Sequence, residues 1–241
     1  MEPVFSDTVQ QISTMTIEKS ERYKGLLHSR QPRVLASPGT VVSVRNEDCI
    51  DACVRIIQER PGIRLGLLNM ASERSPGGGV TRGAHAQEED ICRRTTLYPT
   101  LTQQRYPIAH DELMYSPNVK VVKGSDYSRL QSPLVNIAGV VSAAAVRFPA
   151  LDGIGQYREA DLVLMKNKVR MVLETFEFHK ITHLVLGAWG CGAFRNPPKQ
   201  VAEIFRDTLK EFGFVHVTFA ITTPYANDRR NLAIFSDAFS I

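Results

Sequence analysis

The sequence predicts an α/β protein of three layers, in which helices cover both faces of one mixed sheet. From residue 41 onward, short β-rich runs alternate with helix-length segments, and this alternation is typical of a sheet built from crossover units. The chain has 241 residues, of which 43% are hydrophobic, and this suffices for one compact domain with a sizeable core. A polar, helix-compatible segment precedes the alternating part, so we expect an N-terminal helical extension.

The predicted strands are short and β-rich, and most are separated by helix-length segments. They lie at 41–45, 63–68, 119–122, 134–141, 183–186 and 215–221. Three irregular stretches remain, at about 70–82, 98–118 and 142–157. Long loops in a compact domain are usually functional, so we expect the site to be built from some of them.

Four helices are predicted within this pattern. The first two span 48–59 and 83–97. The last begins with Asn196 as its N-cap and Pro197 at its first helical position, which are favoured residues at these two places. The third carries one apolar stripe with helical spacing, which predicts a core helix; the stripe consists of Leu162, Met165, Val169, Val172, Leu173 and Phe176.

The first 39 residues are predicted to form a helical extension and a linker, separate from a domain at 40–241. The helix is expected over 8–27, and Pro32 and Pro38 indicate the linker. Basic residues in this segment could contact a polyanion, although a solvated helix face is the commoner arrangement. These residues are Arg22, Lys24, Arg30 and Arg33.

Charge and hydropathy argue against several classes of protein. Lys and Arg number 29 against 25 Asp and Glu, a net charge of +4, which is compatible with a polyanionic partner but does not predict direct DNA binding. The longest mostly apolar run, 135–146, is too short to span a bilayer, and Glu2 interrupts any signal-peptide pattern. We therefore expect a cytoplasmic protein, with access to the nucleus if the source is eukaryotic.

The four cysteines are few for this length and form no C-x-x-C pair. This usage is typical of a reducing compartment, so neither a disulfide nor a zinc site is expected. Cys49 and Cys53 share a helix face and are interpreted as core residues. Cys191 is interpreted as a small loop residue and not as a nucleophile.

A glycine-rich loop followed by two acids is the most informative motif. Gly77, Gly78 and Gly79 are followed after seven residues by Gln87-Glu88-Glu89. Consecutive glycines permit positive φ angles and let backbone amides surround an anion, whereas acids at a helix start repel a diphosphate. The motif therefore predicts proton transfer at the sugar end of a nucleotide.

Plainer interpretations of these residues remain open. The loop could be only a tight turn, and Glu88 and Glu89 could only complement the helix dipole. Glu89 with Arg93 has the spacing of a surface ion pair, and Arg93 and Arg94 are more typical of a solvated face than of a phosphate site. His85 is more typical of a surface histidine than of a site residue.

A second glycine loop lies at 187–196, between a predicted strand and a predicted helix. Its glycines at 187, 190 and 192 give G-x-x-G-x-G, which is not the dinucleotide fingerprint. Ligands of open α/β sheets collect at the carboxyl ends of strands. The loops after residues 68 and 186 are therefore expected to face each other and to hold one diphosphate.

These motifs resemble the microbial-type poly(ADP-ribose) glycohydrolases (PARGs), whose signature is GGG, six to eight residues, then QEE. Further matching blocks keep the same order over roughly 41–237. They are Val42 to Asp48, Asn69-Met70-Ala71-Ser72, Cys92 to Tyr98, Tyr115-Ser116-Pro117, the loop from Val185 to Pro198, and Phe219-Ala220-Ile221. The order and spacing of several blocks make this resemblance specific.

The resemblance implies a macrodomain-like fold and hydrolysis of ribose–ribose O-glycosidic bonds in poly(ADP-ribose). ADP-ribose would be released mainly from chain ends, without a metal or redox cofactor. The implied partners are poly(ADP-ribose), ADP-ribose and poly-ADP-ribosylated proteins, with no membrane partner and a monomeric chain. This activity would belong to the reversal of ADP-ribosylation and to the DNA damage response.

The resemblance also implies residue roles. Glu89 is the implied catalytic acid and base, and Glu88 the positioner of the ribose. Since adjacent helical residues diverge by about 100°, the two carboxylates are not expected to face each other across the bond as in many glycosidases. Asn69 is implied to lie beside the terminal ribose, with Gly77, Gly78 and Gly79 close to that ribose and the phosphates and Gln87 as a brace. The diphosphate would be surrounded by Gly190, Cys191, Gly192 and Ala193, and Phe194 would pack against the ligand. Asp48 would bind the adenine amino group, although Asn46 and Glu47 compete for the register.

Two alternatives stay open. A macrodomain of this kind could bind terminal ADP-ribose without cleaving it, although the intact Gln87-Glu88-Glu89 argues against this. It could also release single ADP-ribose units from protein side chains, which depends on space that the sequence does not reveal.

Overall fold

The structure is a computed structural model that describes residues 1–25, 39–223 and 226–240. These residues form seven strands and seven α-helices, with a short 3₁₀ turn at Val80–Arg82. The strands are β1 (Glu21–Lys24), β2 (Val41–Arg45), β3 (Leu65–Met70), β4 (Glu112–Lys120), β5 (Asn136–Ala143), β6 (His183–Leu186) and β7 (His216–Ala220). The helices are α1 (Glu2–Ile12), α2 (Cys49–Glu59), α3 (Gln87–Arg94), α4 (Leu97–Thr102), α5 (Glu159–Phe178), α6 (Pro198–Leu209) and α7 (Ala226–Ala238).

The strands form one mixed sheet in the order β1-β4-β5-β3-β6-β7-β2. The five strands from β5 to β2 run parallel, while β4 pairs antiparallel with both β5 and β1. The central strand β3 therefore lies between β5 and β6. Its carboxyl end meets the carboxyl ends of both neighbours, which brings the loops after β3 and β6 to one edge of the sheet.

Successive residues along the central strands enter two separate cores. Leu67 and Val140 face one core, while Leu68 and Val141, next in sequence, face the other. This is the side-chain alternation of a strand buried on both faces. Helices α1 to α4 cover the first core, and α5 to α7 cover the second, so the predicted three-layer α/β architecture is confirmed.

The N-terminal segment differs from the predicted helix over 8–27. The helix is α1, which ends at Ile12, and residues Glu21–Lys24 form the edge strand β1. Charged residues are common on edge strands because they discourage pairing with other chains, and here Arg22 forms an ion pair of 2.7 Å with buried Glu112. The predicted linker, with Arg30 and Arg33, lies outside the described residues, and the division at residue 39 stays a prediction.

Other boundaries also differ from prediction. Part of the irregular stretch at 98–118 is helix α4 and strand β4, and α7 had no predicted counterpart. Helix α3 begins at Gln87 and not at 83, because Gly83 has a φ of 75° and closes the preceding 3₁₀ turn. Helix α6 begins at Pro198, with Pro197 and not Asn196 at its N-cap.

Among the described residues, no helix is long and apolar enough to cross a membrane. All four cysteines are free, and Cys49, Cys53 and Cys92 are buried. Burial raises the pKa of each of these three thiols, since a thiolate is costly in an apolar environment. They are therefore packing residues, as predicted for Cys49 and Cys53.

Candidate active site

A cavity of about 590 Å³ opens at the carboxyl-end edge of the parallel strands. Residues that follow five strands reach it: Asp48 after β2, Ala71 after β3, Ala145 after β5, Ala188 after β6 and Thr222 after β7. This is the edge at which open α/β sheets bind their ligands, and the volume lies in the range of small-molecule sites.

Gln87 connects the first residue of α3 to the end of β3. Its side-chain Nε2 donates to the Leu68 carbonyl at 2.8 Å, and its Oε1 accepts from the Met70 N–H at 2.8 Å. An amide side chain carries a donor NH₂ group and an acceptor oxygen in one plane, so one side chain satisfies both backbone groups. Gln87 thereby fixes the position of the two glutamates that follow it.

The Glu89 carboxylate faces inward and is only 7% exposed. Its Oε1 accepts from the Gly79 N–H at 2.7 Å, and its Oε2 accepts from the Ala86 N–H at 2.9 Å. The second contact is the reach-back half of a capping box at the N-terminus of α3. Glu89 thus joins the glycine loop to the helix. It forms no ion pair with Arg93, so the predicted surface pair is wrong.

Glu88 lies beside Asn69, at the end of β3. The Ser72 N–H donates to Glu88 Oε2 at 2.6 Å, and Asn69 Nδ2 lies 3.4 Å from Glu88 Oε1. Burial raises the pKa of Glu88 to about 8, against the lowering effect of these hydrogen bonds. This carboxyl is therefore largely protonated at neutral pH, and a protonated carboxyl can donate a hydrogen bond.

Asn69 is fully buried, and its side chain is only half satisfied. Its Nδ2 also donates to Ser142 Oγ at 3.0 Å, while its Oδ1 has no hydrogen-bond partner among the described residues. Buried polar atoms without a partner are rare in folded proteins. The unused acceptor beside Glu88 is what a ligand hydroxyl requires.

Both carboxylates converge on Gly78. A Cβ built at this glycine would lie 2.4 Å from Glu89 Oε1 and 3.1 Å from Glu88 Oε2. The two side chains therefore turn toward one loop, although neighbouring helical positions diverge by about 100°. That they do not face each other across the bond stays a prediction. The helix begins only at Gln87, and long side chains in a first turn can bend toward the same loop, which here provides amide donors.

The second glycine loop is braced from within by Asn196. Its Nδ2 donates to the carbonyls of Val146, at 2.7 Å, and Gly190, at 3.0 Å, and its Oδ1 accepts from the Tyr157 hydroxyl at 2.6 Å. Gly190 has a φ of 75°, and a Cβ there would lie 2.5 Å from Asn196 Nδ2. The side chain predicted to cap α6 instead holds this loop in shape.

The other residues of the second loop differ in what surrounds them. Gly192, Ala193 and Phe194 line the cavity, and a Cβ at Gly192 would meet no described atom within 4 Å. Cys191 does not line it; its thiol lies 3.7 Å from the Trp189 carbonyl, and burial raises its pKa. Burial of this kind suppresses the reactive thiolate, which agrees with a loop residue and not a nucleophile.

Asp48, which follows β2, lines the cavity and has a structural role as well. Its Oδ1 accepts from the N–H groups of Ile50, at 2.8 Å, and Asp51, at 3.1 Å, as the N-cap of α2. The same oxygen accepts from Arg94 at 2.8 Å. Oδ2 forms no hydrogen bond with the described residues, so this oxygen remains available to a donor in the cavity.

Arg93 and Arg94 are both buried, which contradicts the solvated face expected for them. Arg94 forms ion pairs with Asp48, Asp51 and Asp90, so its charge is already neutralised. Arg93 lines the cavity and donates to the Ala84 carbonyl at 2.5 Å, while its Nε has no partner among the described residues.

The structure separates the predicted site residues into two groups. Those that line the cavity are Asp48, Gln87, Gly190, Gly192, Ala193 and Phe194. The others do not line it: Asn69 and Glu88 adjoin the lining residues Met70 and Gln87 in sequence, Glu89 accepts from the N–H of lining Ala86, and Gly77, Gly78 and Gly79 form the loop against the two acids. The two acids therefore lie at the wall of the cavity, under the first glycine loop, and not in its open part.

Several lining residues were missed by sequence reasoning. Tyr127 is one; it has a φ of 61°, and its hydroxyl donates to Asp90 at 2.6 Å. Trp189 and Asn231 are two others, and exposed His85, which was expected to be a surface residue, is a fourth. The WGCG run contained Trp189, but Tyr127 and Asn231 carry no local signal, since they reach the cavity only through the fold.

The described residues contain no group of three or more His, Cys, Asp or Glu arranged to hold a metal ion.

Comparison with known proteins identifies relatives over nearly the whole chain. The family model for the microbial-type PARG catalytic domain matches residues 6–124, which include β1 and most of α1. No curated protein sequence matches the chain significantly.

Solved structures extend this match to the C-terminal half. A point mutant of poly(ADP-ribose) glycohydrolase from Thermomonospora curvata is 30% identical, covers 98% of this chain and is itself 88% covered, with a TM-score of 0.73. The same enzyme bound to the inhibitor ADP-HPD is 28% identical, with 98% of each chain covered and a TM-score of 0.78.

The poly(ADP-ribose) glycohydrolase from Deinococcus radiodurans in complex with ADP-ribose is 29% identical. It covers 98% of this chain, is 97% covered and has a TM-score of 0.74. The predicted macrodomain-like fold is thus confirmed. From the sequence signature, the family match and the full-length structural similarity together, the chain belongs to the microbial-type poly(ADP-ribose) glycohydrolase family.

Proposed function

We propose that this protein hydrolyses the ribose–ribose O-glycosidic bonds of poly(ADP-ribose) and releases ADP-ribose, mainly from chain ends. The observation that carries the proposal is the pair Glu88 and Glu89, fixed by Gln87 and folded under the first glycine loop at the wall of a nucleotide-sized cavity. Carboxyls at this place supply the proton transfers that cleavage of a ribosyl bond requires.

Three parts of the cavity suit the three parts of ADP-ribose. The Oδ2 of Asp48, which has no hydrogen-bond partner in the described part of the chain, suits the adenine amino group. The second glycine loop suits the diphosphate, because Gly192 leaves room for an anion to approach the backbone. Asn69 Oδ1, which has no described partner, suits a hydroxyl of the ribose at the bond to be cleaved.

Glu89 is the proposed acid and base. Cleavage passes through an oxocarbenium-like state, so one group protonates the leaving oxygen and then removes a proton from the attacking water. Glu88 is the proposed positioner, because a carboxyl that is protonated at neutral pH can donate a hydrogen bond to a ribose hydroxyl. For Glu89 to act, one of its two loop amides must be exchanged for the substrate.

The experiment compares the native chain with Glu89→Gln on defined poly(ADP-ribose) and follows released ADP-ribose. General acid catalysis contributes about 10² to 10⁴ in rate, so the variant is expected to lose at least about 100-fold in kcat while it still binds ADP-ribose in calorimetry. Glu203→Gln on α6 is the matched control and is expected to retain activity. Full activity in Glu89→Gln with unchanged binding contradicts the assignment.

The same assay separates the other candidate functions. Binding of ADP-ribose without turnover by the native chain indicates a reader of ADP-ribose. Release only from a mono-ADP-ribosylated protein indicates a hydrolase of single units.

A further inference from the structure

An exposed aromatic ring lies beside the second glycine loop, outside the cavity. Phe148 is 54% exposed. The Arg147 guanidinium lies 5.1 Å from the centre of the Phe148 ring and 5.2 Å from the centre of the Phe194 ring. Phe194 lines the cavity. The Arg195 guanidinium lies 5.6 Å from the Phe148 ring. We call Arg147, Phe148 and Arg195 the outer platform.

The outer platform is attached to both glycine loops. The Phe148 N–H donates to the Phe194 carbonyl at 3.0 Å, which joins it to the second loop. Arg147 forms an ion pair of 3.0 Å with Glu73, which precedes the first glycine loop by only a few residues. The outer platform therefore connects the two loops. Ser72, next to Glu73, donates its N–H to Glu88 at 2.6 Å, so the outer platform lies on the side of the acids.

Stability of the fold does not explain these residues. Phe148 has a φ of 49° and Arg195 a φ of 60°, and large side chains adopt this left-handed conformation at a cost. An exposed ring gains little from burial to offset that cost. Strained residues of this kind cluster at ligand sites, where the surrounding structure holds them in place.

The charge of the outer platform favours an anion. Arg195 forms no ion pair with the acidic residues of the described chain, and Arg147 shares its partner Glu73 with Arg74. Three guanidinium groups are thus balanced by one carboxylate. An aromatic face between arginines is suited to a stacked base that carries phosphate.

In poly(ADP-ribose), the oxygen that departs on cleavage belongs to the ribose of another adenosine, which carries its own adenine and diphosphate. We infer that the outer platform binds this leaving unit, with its adenine stacked on Phe148 and its diphosphate near Arg147 and Arg195. This inference rests on the proposed function and adds a basis for substrate choice. A single ADP-ribose on a protein side chain has no second adenine, so it gains nothing from the outer platform.

Steady-state kinetics on two substrates test the inference. One is poly(ADP-ribose), and the other is ADP-ribose that carries 4-nitrophenol at the scissile position and so lacks the second nucleotide. Phe148→Ala is expected to lower kcat/KM for the polymer about tenfold or more, as loss of one base–aromatic stack typically does. The effect is expected mainly in KM, with kcat/KM for the nitrophenyl substrate unchanged.

Two further variants serve as controls. Phe148→Tyr keeps an aromatic face and is expected to retain the native kcat/KM for the polymer. Phe178→Ala removes another exposed ring, 52% exposed, at the end of α5 away from the cavity, and is expected to have no effect. Equal losses on both substrates, or no loss on the polymer, overturn the inference.

A binding measurement keeps the inference testable if the proposed hydrolysis fails. In the Glu89→Gln background, calorimetry with the ADP-ribose dimer and with ADP-ribose is expected to show tighter binding of the dimer. Phe148→Ala is expected to abolish this difference, and Arg195→Gln to make dimer binding less dependent on salt. Equal affinity of the Glu89→Gln protein for both ligands contradicts the inference.

Discussion

Gly78 lies directly against Glu89: a Cβ at position 78 would be 2.4 Å from Glu89 Oε1, well inside any contact distance. The φ of Gly78, 58°, also disfavours other residues there. The glycine is thus required by the protein itself and not only by a ligand. The loop and the carboxylates form one unit, and what moves the loop also moves the acids.

We expect Gly78→Ala to abolish most activity while the fold persists. The added methyl group must displace Glu89 Oε1, and with it the hydrogen bond from the Gly79 N–H. Misplacement of a catalytic group by about 1 Å can cost about 100-fold in rate. Polymer hydrolysis and circular dichroism measure the two quantities, with Gly153→Ala as the control, since a Cβ there meets no described atom within 4 Å. Near-native turnover in Gly78→Ala contradicts this geometry.

Gly192→Ala and Gly190→Ala are expected to differ in stability. A methyl group at Gly192 meets no described atom, whereas one at Gly190 meets Asn196 and Ala145 at 2.5 and 2.6 Å. The unfolding temperature of Gly192→Ala should therefore equal that of the native chain. Its affinity for ADP-ribose should fall, because the methyl group would occupy the proposed path of the diphosphate. Gly190→Ala should lower the unfolding temperature. Calorimetry measures the affinity for ADP-ribose, and thermal melts measure the unfolding temperature. Native affinity in Gly192→Ala would mean that the diphosphate binds elsewhere.

The buried carboxyl of Glu88 predicts a pH-dependent stability. Its pKa is raised from 4.5 to about 8 in the folded chain, so the folded state holds a proton that the unfolded state releases. The contribution of Glu88 to the free energy of unfolding is full below about pH 4.5 and declines as the pH rises to about 8. The free energy of unfolding of Glu88→Gln should therefore depend less on pH than that of the native chain.

Urea unfolding at pH 5, 7 and 9 measures this difference. Between pH 5 and pH 9, we expect the free energy of unfolding of the native chain to fall by at least about 1 kcal/mol more than that of Glu88→Gln. The reason is that one pKa unit corresponds to about 1.4 kcal/mol. Glu203→Gln is the control and should follow the native curve. Parallel curves for the native chain and Glu88→Gln indicate a carboxyl of ordinary pKa.

Asn196→Ala should destabilise the second glycine loop more than Tyr157→Phe. The first change leaves the Val146 carbonyl and the Tyr157 hydroxyl without the Asn196 side chain, while the Gly190 carbonyl keeps the Asn196 N–H, and each unsatisfied buried group costs about 1–3 kcal/mol. The second change leaves only one buried group, Asn196 Oδ1, without its donor, so it should cost less in total. Urea unfolding gives the two values, and affinity for ADP-ribose should fall in the same order. If Tyr157→Phe destabilises the protein more than Asn196→Ala, Tyr157 and not Asn196 holds the second glycine loop in shape.

Local patterns predicted most central elements because the sheet is buried on both faces. The alternating strands and the apolar stripe of α5 follow from periodicities that depend only on neighbouring residues. Strand β1 was missed because Glu21–Lys24 is charged and stabilised by pairing with β4. Most of β4 was missed because it contains Pro117, a residue that normally interrupts strands, and Asn118, with a φ of 50°.

The sequence by itself determined the family, the two glycine loops and the acids that follow the first, because these are short motifs whose chemistry depends on order and spacing. Only the tertiary structure decided that Glu88 and Glu89 converge on Gly78, that Tyr127 and Asn231 reach the cavity, and that Phe148 stands beside Phe194. Apart from the contact of Gly78 with the two acids, these relationships join segments far apart in the chain. They arise from the placement of β3 between β5 and β6, which long-range packing sets and no local pattern encodes.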